Sequence, residues 1–206
     1  PASLANEMAS AGRELCAQLQ TQEYRRASGA IIPAEFYVPN EPEHPLFVQA
    51  DFGVIRSAGG EWDAKLIEIQ GFPSIYALQA LLSATYRDVY GLDANLSSYF
   101  NDGGEDGFIS LFERAVLNGH RPEDVGLLEI DPYHQKTLPD FLLTQKRLGI
   151  RIADIAQVEK RGRKLYHDGK PIERIYNRVV FDELVKRKYP AGFHFSDELD
   201  VEWAGH

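Results

Sequence analysis

The chain has 206 residues, 44% hydrophobic and 26% charged, enough to bury a core in one larger domain or two small ones. A net charge of −9 leaves no basic excess to displace counterions from a phosphate backbone, so nucleic acid is not an expected partner. A single cysteine, Cys16, excludes an internal disulfide and a multi-cysteine metal site. No apolar stretch approaches the ~18 residues of a membrane span and no leader segment is visible, so the expectation is a cytoplasmic protein without a membrane partner.

In chain order, residues 3–27 read as one amphipathic helix, with Leu4, Met8, Ala11, Leu15 and Leu19 at helical spacing and Cys16 as inert packing. "IIPAEFYVPNEPEHP" carries four of the prolines and reads as an extended linker. Strands are expected over 46–56 and 63–70. A helix follows over 73–90, with Ile75, Leu78, Leu81, Leu82 and Tyr86 inward, then a loop at 102–106 and a helix over 108–118. "VGLLEID" at 125–131 is the continuous apolar run of a parallel strand. A helix over 138–148, with Thr137 and Asp140 as an approximate capping box, and a strand over 150–155 complete a βαβ unit. A hairpin turns at Asp168-Gly169, and "FDELVKRKY" forms a short helix. The basic runs at 160–164 and 185–189 read as solvated surface. The fold class is α/β: a helical and antiparallel part over 1–120, a Rossmann-like part over 121–190, and, as an expectation, the start of a segment over 191–206 that continues beyond this chain. A start at Pro1 and a stop just after a Trp-containing segment raise the expectation of a longer protein.

The most informative stretch is "AKLIEIQGFP" at 64–73. As a strand it carries Leu66, Glu68 and Gln70 on one face. A two-residue Gly59-Gly60 turn would set Arg56 opposite Asp63, Phe52 opposite Ile67, Asp51 opposite Glu68 and Gln49 opposite Gln70. Two carboxylates would then face each other at about 5 Å between Cβ atoms. Like charges so placed repel unless one stays protonated or a cation neutralises them. Carboxylate and carboxamide oxygens without His or Cys suit Mg²⁺, which shares its shell with phosphate and water. The alternative is an exposed face whose acids are answered by nearby Lys or Arg.

An acid on one antiparallel strand, E-x-N on the next, then a small residue and proline is the Mg²⁺-phosphate strand pair of the ATP-grasp ligases. "QADFGVIR…KLIEIQGFPS" resembles it, with Gln70 where the family usually has Asn. The pair lies early and a βαβ segment follows, an order similar to the circularly permuted, glutathionylspermidine-synthetase-like branch. There a Rossmann-like pre-ATP-grasp domain comes next, and "YNRVVFDEL" resembles its "YRR…D-E/F-L" ending, with Asn177 in place of one Arg. The resemblance covers roughly residues 46–188. It implies an ATP- and Mg²⁺-dependent ligase that joins a small-molecule carboxylate to an amine (or thiol) through an acyl phosphate. Asp51, Glu68 and Gln70 would hold the metal. No Gly-rich phosphate loop occurs in these residues, so the chain would supply metal ligands and a substrate platform rather than a whole active site. A Gly-rich hairpin and a following Lys are expected within roughly another 150–200 residues downstream.

Ligands of an open α/β sheet gather at the carboxyl ends of its strands. Asp131, His134, Gln135 and Lys136 crowd the end of the 125–131 strand, and Arg178 closes "ERIYNR". These are the candidate substrate-binding residues; Asp131 shaping a turn and Arg178 paired with Asp182 or Glu183 are the structural alternatives. Two rivals stay open: a non-catalytic small-molecule or nucleotide-binding module with a degenerate metal site, and an unrelated α/β domain in which only 125–190 is functional.

Overall fold

The computed structural model describes residues 2–100 and 103–205. Packing of the chain on itself divides it into two compact units: residues up to 33 with 47–73, and 34–46 with the remainder from 74 onward. Mixed α/β architecture, with antiparallel and parallel sheets, matches the expected class. No helix among the described residues is long and apolar enough to cross a membrane.

In the first unit the single expected helix is two, α1 (Ala2–Leu19) and α2 (Gln22–Gly29). Thr21 makes the break. Its Oγ1 donates to the Gln18 carbonyl (2.8 Å) and accepts from the Tyr24 N–H (3.3 Å), a side-chain cap that restarts the helix. Cys16 is a half-buried free thiol. Strands β1 (Gln49–Arg56) and β2 (Trp62–Gln70) form an antiparallel ribbon.

Their turn is not the two-residue loop expected from Gly59-Gly60. Ser57 accepts from the Gly60 N–H (2.9 Å) and donates its own N–H to Glu61 (2.8 Å), enclosing three residues with Gly60 at φ +82°. The longer loop slips the register by one: Phe52 faces Leu66 and Arg56 faces Trp62. A bulge opposite the Asp51/Phe52 step absorbs Ile67 and restores the original pairing, so Asp51 faces Glu68 and Gln49 faces Gln70. Leu66 consequently moves to the Phe52 face, opposite the acids. Ile67 lies over Gly53, 3.5 Å from where a Cβ would stand. Arg56 does not pair with Asp63; it stacks over Trp62 at 4.1 Å and donates to the Gly60 carbonyl, while Asp63 pairs with Lys65 at 2.8 Å.

In the second unit, helices α3 (Tyr76–Tyr90) and α4 (Gly104–Leu117) precede strand β3 (Val125–Glu129), helix α5 (Leu138–Leu148) and strand β4 (Arg151–Asp154). Of the loop expected at 102–106, residue 102 lies outside the described residues, and 104–106 already belong to α4. Strands β5 (Glu159–Arg161), β6 (Lys164–His167) and β7 (Lys170–Ile172) form an antiparallel meander, followed by β8 (Arg174–Asn177), α6 (Phe181–Arg187) and β9 (Glu202–Ala204). Asp168 and Gly169, at φ +52° and +72°, make the expected two-residue turn between His167 and Lys170. The main sheet runs β4–β3–β8–β9, with every neighbouring pair parallel. The expected βαβ unit is β3–α5–β4.

The segment read as a linker belongs to this core instead. Phe36 and Val38 are buried among Leu128, Ile130, Ile175 and Trp203, and Asn40 donates to the Val201 carbonyl at 2.8 Å. Four prolines signal an irregular backbone, but they say nothing about whether the side chains between them are buried. The segment from 191 onward supplies Phe193, Phe195, Leu199, Val201 and Trp203 to the same core. The basic hairpin is neutralised by acids: Lys160 with Asp197, Arg161 with Glu159, and Arg163 with Glu198 and Asp200. Arg174, buried under α4, donates to the Ala115 and Val116 carbonyls and pairs with Glu202, tying α4, β8 and β9 together.

Helix α3 buries a different face from the one expected. Ala77 and Ala80 are the inward residues, whereas Leu81, Leu82 and Tyr86 are exposed. Helix α3 packs against α5, and the small side chains of Ala77 and Ala80 permit close approach. Asp140 does not serve α5 as a capping-box acid. It is buried, and its carboxylate accepts from the Leu78 N–H at 2.9 Å and from the Ile75 and Ala77 N–H groups, capping α3 from across the packing. Burial pushes its carboxyl up, against those N–H groups and the nearby Arg178 guanidinium. Asp140→Ala is expected to cost about 1–2 kcal/mol, the loss of one such cap, measured by urea denaturation.

Candidate functional site

The acid face of the β1–β2 ribbon is a four-residue ladder. Gln49 Nε2 donates to Asp51 Oδ1 at 2.8 Å, and Gln70 Nε2 donates to Asp51 Oδ2 at 3.0 Å and to Glu68 Oε1 at 2.7 Å. Both carboxylates therefore converge on the Gln70 amide. Glu68 is exposed; Asp51, Gln49 and Gln70 are half-buried. Neither acid has a Lys or Arg ion pair among the described residues, so the repulsion is relieved by amide N–H donors alone.

The donor set fits a hard divalent cation. Every polar group on this face offers oxygen, and the position that bridges the acids is taken by an amide whose rotation exchanges N–H₂ for carbonyl oxygen. Among the described residues no three His, Cys, Asp or Glu side chains come together as metal ligands. Two carboxylates would leave the rest of the shell to amide oxygen, water or phosphate, as Mg²⁺ prefers.

The second candidate region lies in the second unit, where the chain order of the main sheet reverses. From β3 the chain passes through α5 to β4 on one side; from β8 it passes through α6 to β9 on the other. The two helices cover opposite faces: Leu184 of α6 packs with Leu128, Ile130 and Ile175, whereas Asp140 of α5 lies near Arg178. In open α/β sheets ligands gather at such a switch point, here outside the carboxyl ends of β3 and β8. The Arg178 N–H donates to the Leu128 carbonyl at 2.8 Å, stitching the two ends together.

Four of the five residues proposed from sequence gather along this edge. Asp131 sits at φ +45° and accepts at 2.7 Å from His134 Nδ1, with Arg187 at 3.5 Å on its other oxygen. Gln135 donates to the Ile130 carbonyl at 2.7 Å, bracing the strand end. Arg178 is buried, with its guanidinium 5.9 Å from the Tyr176 ring. Lys136 is exposed on the loop.

Sequence reasoning missed Glu129. It ends β3 at 7% exposure, and its carboxyl accepts from the Ile130 N–H at 2.7 Å. Burial pushes the carboxyl up to about 7, with Glu183 adding to the rise while the Ile130 N–H, Arg178 and Arg187 oppose it. The signal was available: a lone carboxylate inside an apolar strand, the feature that singled out Glu68.

No protein-family model matches the chain, and no curated protein matches it significantly. Among solved structures it is similar to a glutathione synthetase-like effector (GSS30) from Globodera pallida in its apo form, at 15% identity and a TM-score of 0.45. The match covers 75% of this chain and 39% of that one, so the chain spans well under half the length of that protein.

Proposed function

We propose that the chain is part of an ATP- and Mg²⁺-dependent ligase that joins a small-molecule carboxylate to an amine or a thiol through an acyl phosphate. The observation that carries this reading is the ladder: Asp51 and Glu68 opposed on one face, both hydrogen-bonded to Gln70. Asp51 and Glu68 would hold Mg²⁺, with Gln70 contributing through its amide oxygen or a water. The ion would neutralise phosphate charge as it develops. The chain's own contribution is positioning. Gln49 orients Asp51, and the bulge at Ile67 keeps Glu68 opposite it. In the second unit, Asp131, His134, Gln135, Lys136 and Arg178 would bind substrate at the switch point, with the cations Arg178 and Lys136 drawing its carboxylate.

The rival is a non-catalytic binding module, favoured by one feature: the amides of Gln49 and Gln70 already satisfy the acids without an ion. Calorimetric titration with MgCl₂ and with MgATP separates the two. The ligase reading predicts saturable heat in the millimolar range or below. It also predicts at least about tenfold weaker binding in Asp51→Asn and Glu68→Gln, and a smaller loss in Gln70→Ala. No heat with either titrant, or unaltered heat in the variants, favours the module.

A further inference from the structure

Glu129 stands apart from the residues assigned so far. It is more than nine-tenths buried at the carboxyl end of β3, on the same sheet face as Arg178, where the strand order reverses. Its hydrogen-bond partner is the Ile130 N–H, and among the described residues no ion pair reaches it within 4 Å. A buried carboxylate left with one backbone donor is costly, and native structures keep such a group where something else completes it. The charged groups whose fields reach it are Arg178 from the end of β8 and, from α6 around the strand end, Glu183 and Arg187. Arg187 is engaged by Glu183 at 3.1 Å and Asp131 at 3.5 Å, and Asp140 of α5 faces Arg178. The cations around Glu129 thus have acids of their own.

We propose that Glu129 receives the ammonium group of the ligase's amine substrate at the switch point of the main sheet. An ammonium brings three N–H donors and the positive charge that the unpaired carboxylate lacks. Binding fixes Glu129 in its ionised form, so it releases a proton wherever the free carboxyl is still protonated. The assignment deepens the ligase reading and rests on it for the word substrate, but the binding event itself needs neither metal nor nucleotide.

The test is titration of the chain with n-butylamine, and with butan-1-ol as the uncharged control, followed by NMR or calorimetry without Mg²⁺ or ATP. An aliphatic amine stays protonated across the range, near the lysine value of about 10.4. Affinity is expected to rise about tenfold between pH 6 and pH 8, with proton release near pH 7 seen as buffer-dependent heat. Glu129→Gln is expected to remove both the affinity and its pH dependence, while butanol shows neither. An amine that fails to bind, that binds equally to Glu129→Gln, or whose affinity in the unaltered chain ignores pH overturns the assignment. The pH profile of the unaltered chain decides the matter even if the variant misfolds. A failure here leaves Mg²⁺ binding at the ladder untouched, and a metal-blind ladder leaves amine binding untouched, so the two readings fail separately.

Discussion

Glu129→Gln is expected to make the protein more stable than the unaltered chain at pH 8 and indistinguishable from it near pH 4. Burial holds the Glu129 carboxyl near 7 in the folded state, against an ordinary value of 4.5 in the unfolded chain. Below pH 4.5 both states carry the proton and the group costs nothing. Between 4.5 and about 7 the unfolded chain has released a proton that the folded one keeps, so stability falls as pH rises. Above about 7 the folded state bears the whole penalty of an ionised buried carboxylate. At about 1.4 kcal/mol per pH unit that penalty approaches ~3 kcal/mol. Glutamine retains an acceptor for the Ile130 N–H and never ionises, so its profile lacks this fall. Urea midpoints of both proteins from pH 4 to pH 8 check it. Taking the difference between the two profiles cancels Asp140, which also titrates high, and Glu202, which titrates low. A difference that stays constant with pH contradicts the buried, unpaired state of Glu129.

Much of the second unit was legible because its signals are local. The apolar run at 125–129, the helix stopped by Gly149 and the Asp168-Gly169 turn each declare themselves within a few residues. The α3 face was not legible: the leucine spacing is helical, but the partner α5 demanded alanines, and only the tertiary packing decides that. Phe36 and Val38 misled for the same reason, since their burial depends on residues 90 or more positions away.

The ladder is the more instructive case. The turn is one residue longer than the two glycines alone predict, and the outer pairs shift by one accordingly. The bulge at Ile67 then cancelled the slip before the acids were reached. Gly53 marks the place: a strand glycine whose vacancy Ile67 fills, the positional sign of a nearby bulge. The pairing of Asp51 with Glu68 therefore depends on an irregularity that no alternation pattern encodes. At the switch point, the loop residues 131–136 stood out because His, Gln and Lys cluster after an apolar strand, whereas Glu129 was hidden inside the strand itself.

The second large effect concerns the metal. Two opposed carboxylates with only amide donors between them should gain most from a divalent cation, and removing either acid should abolish the gain. Arg178 and the 131–136 loop should be indifferent to that change, because the ladder is built entirely within β1 and β2.

The most direct measurement is paramagnetic relaxation of backbone amides by Mn²⁺, which takes the oxygen sites of Mg²⁺. Substoichiometric Mn²⁺ is expected to broaden the amides of residues 49–51 and 68–70 first, excess Mg²⁺ to restore them, and Asp51→Asn with Glu68→Gln to leave them sharp. Broadening that begins elsewhere, or that is the same in the doubly substituted chain, contradicts a metal site on this ribbon.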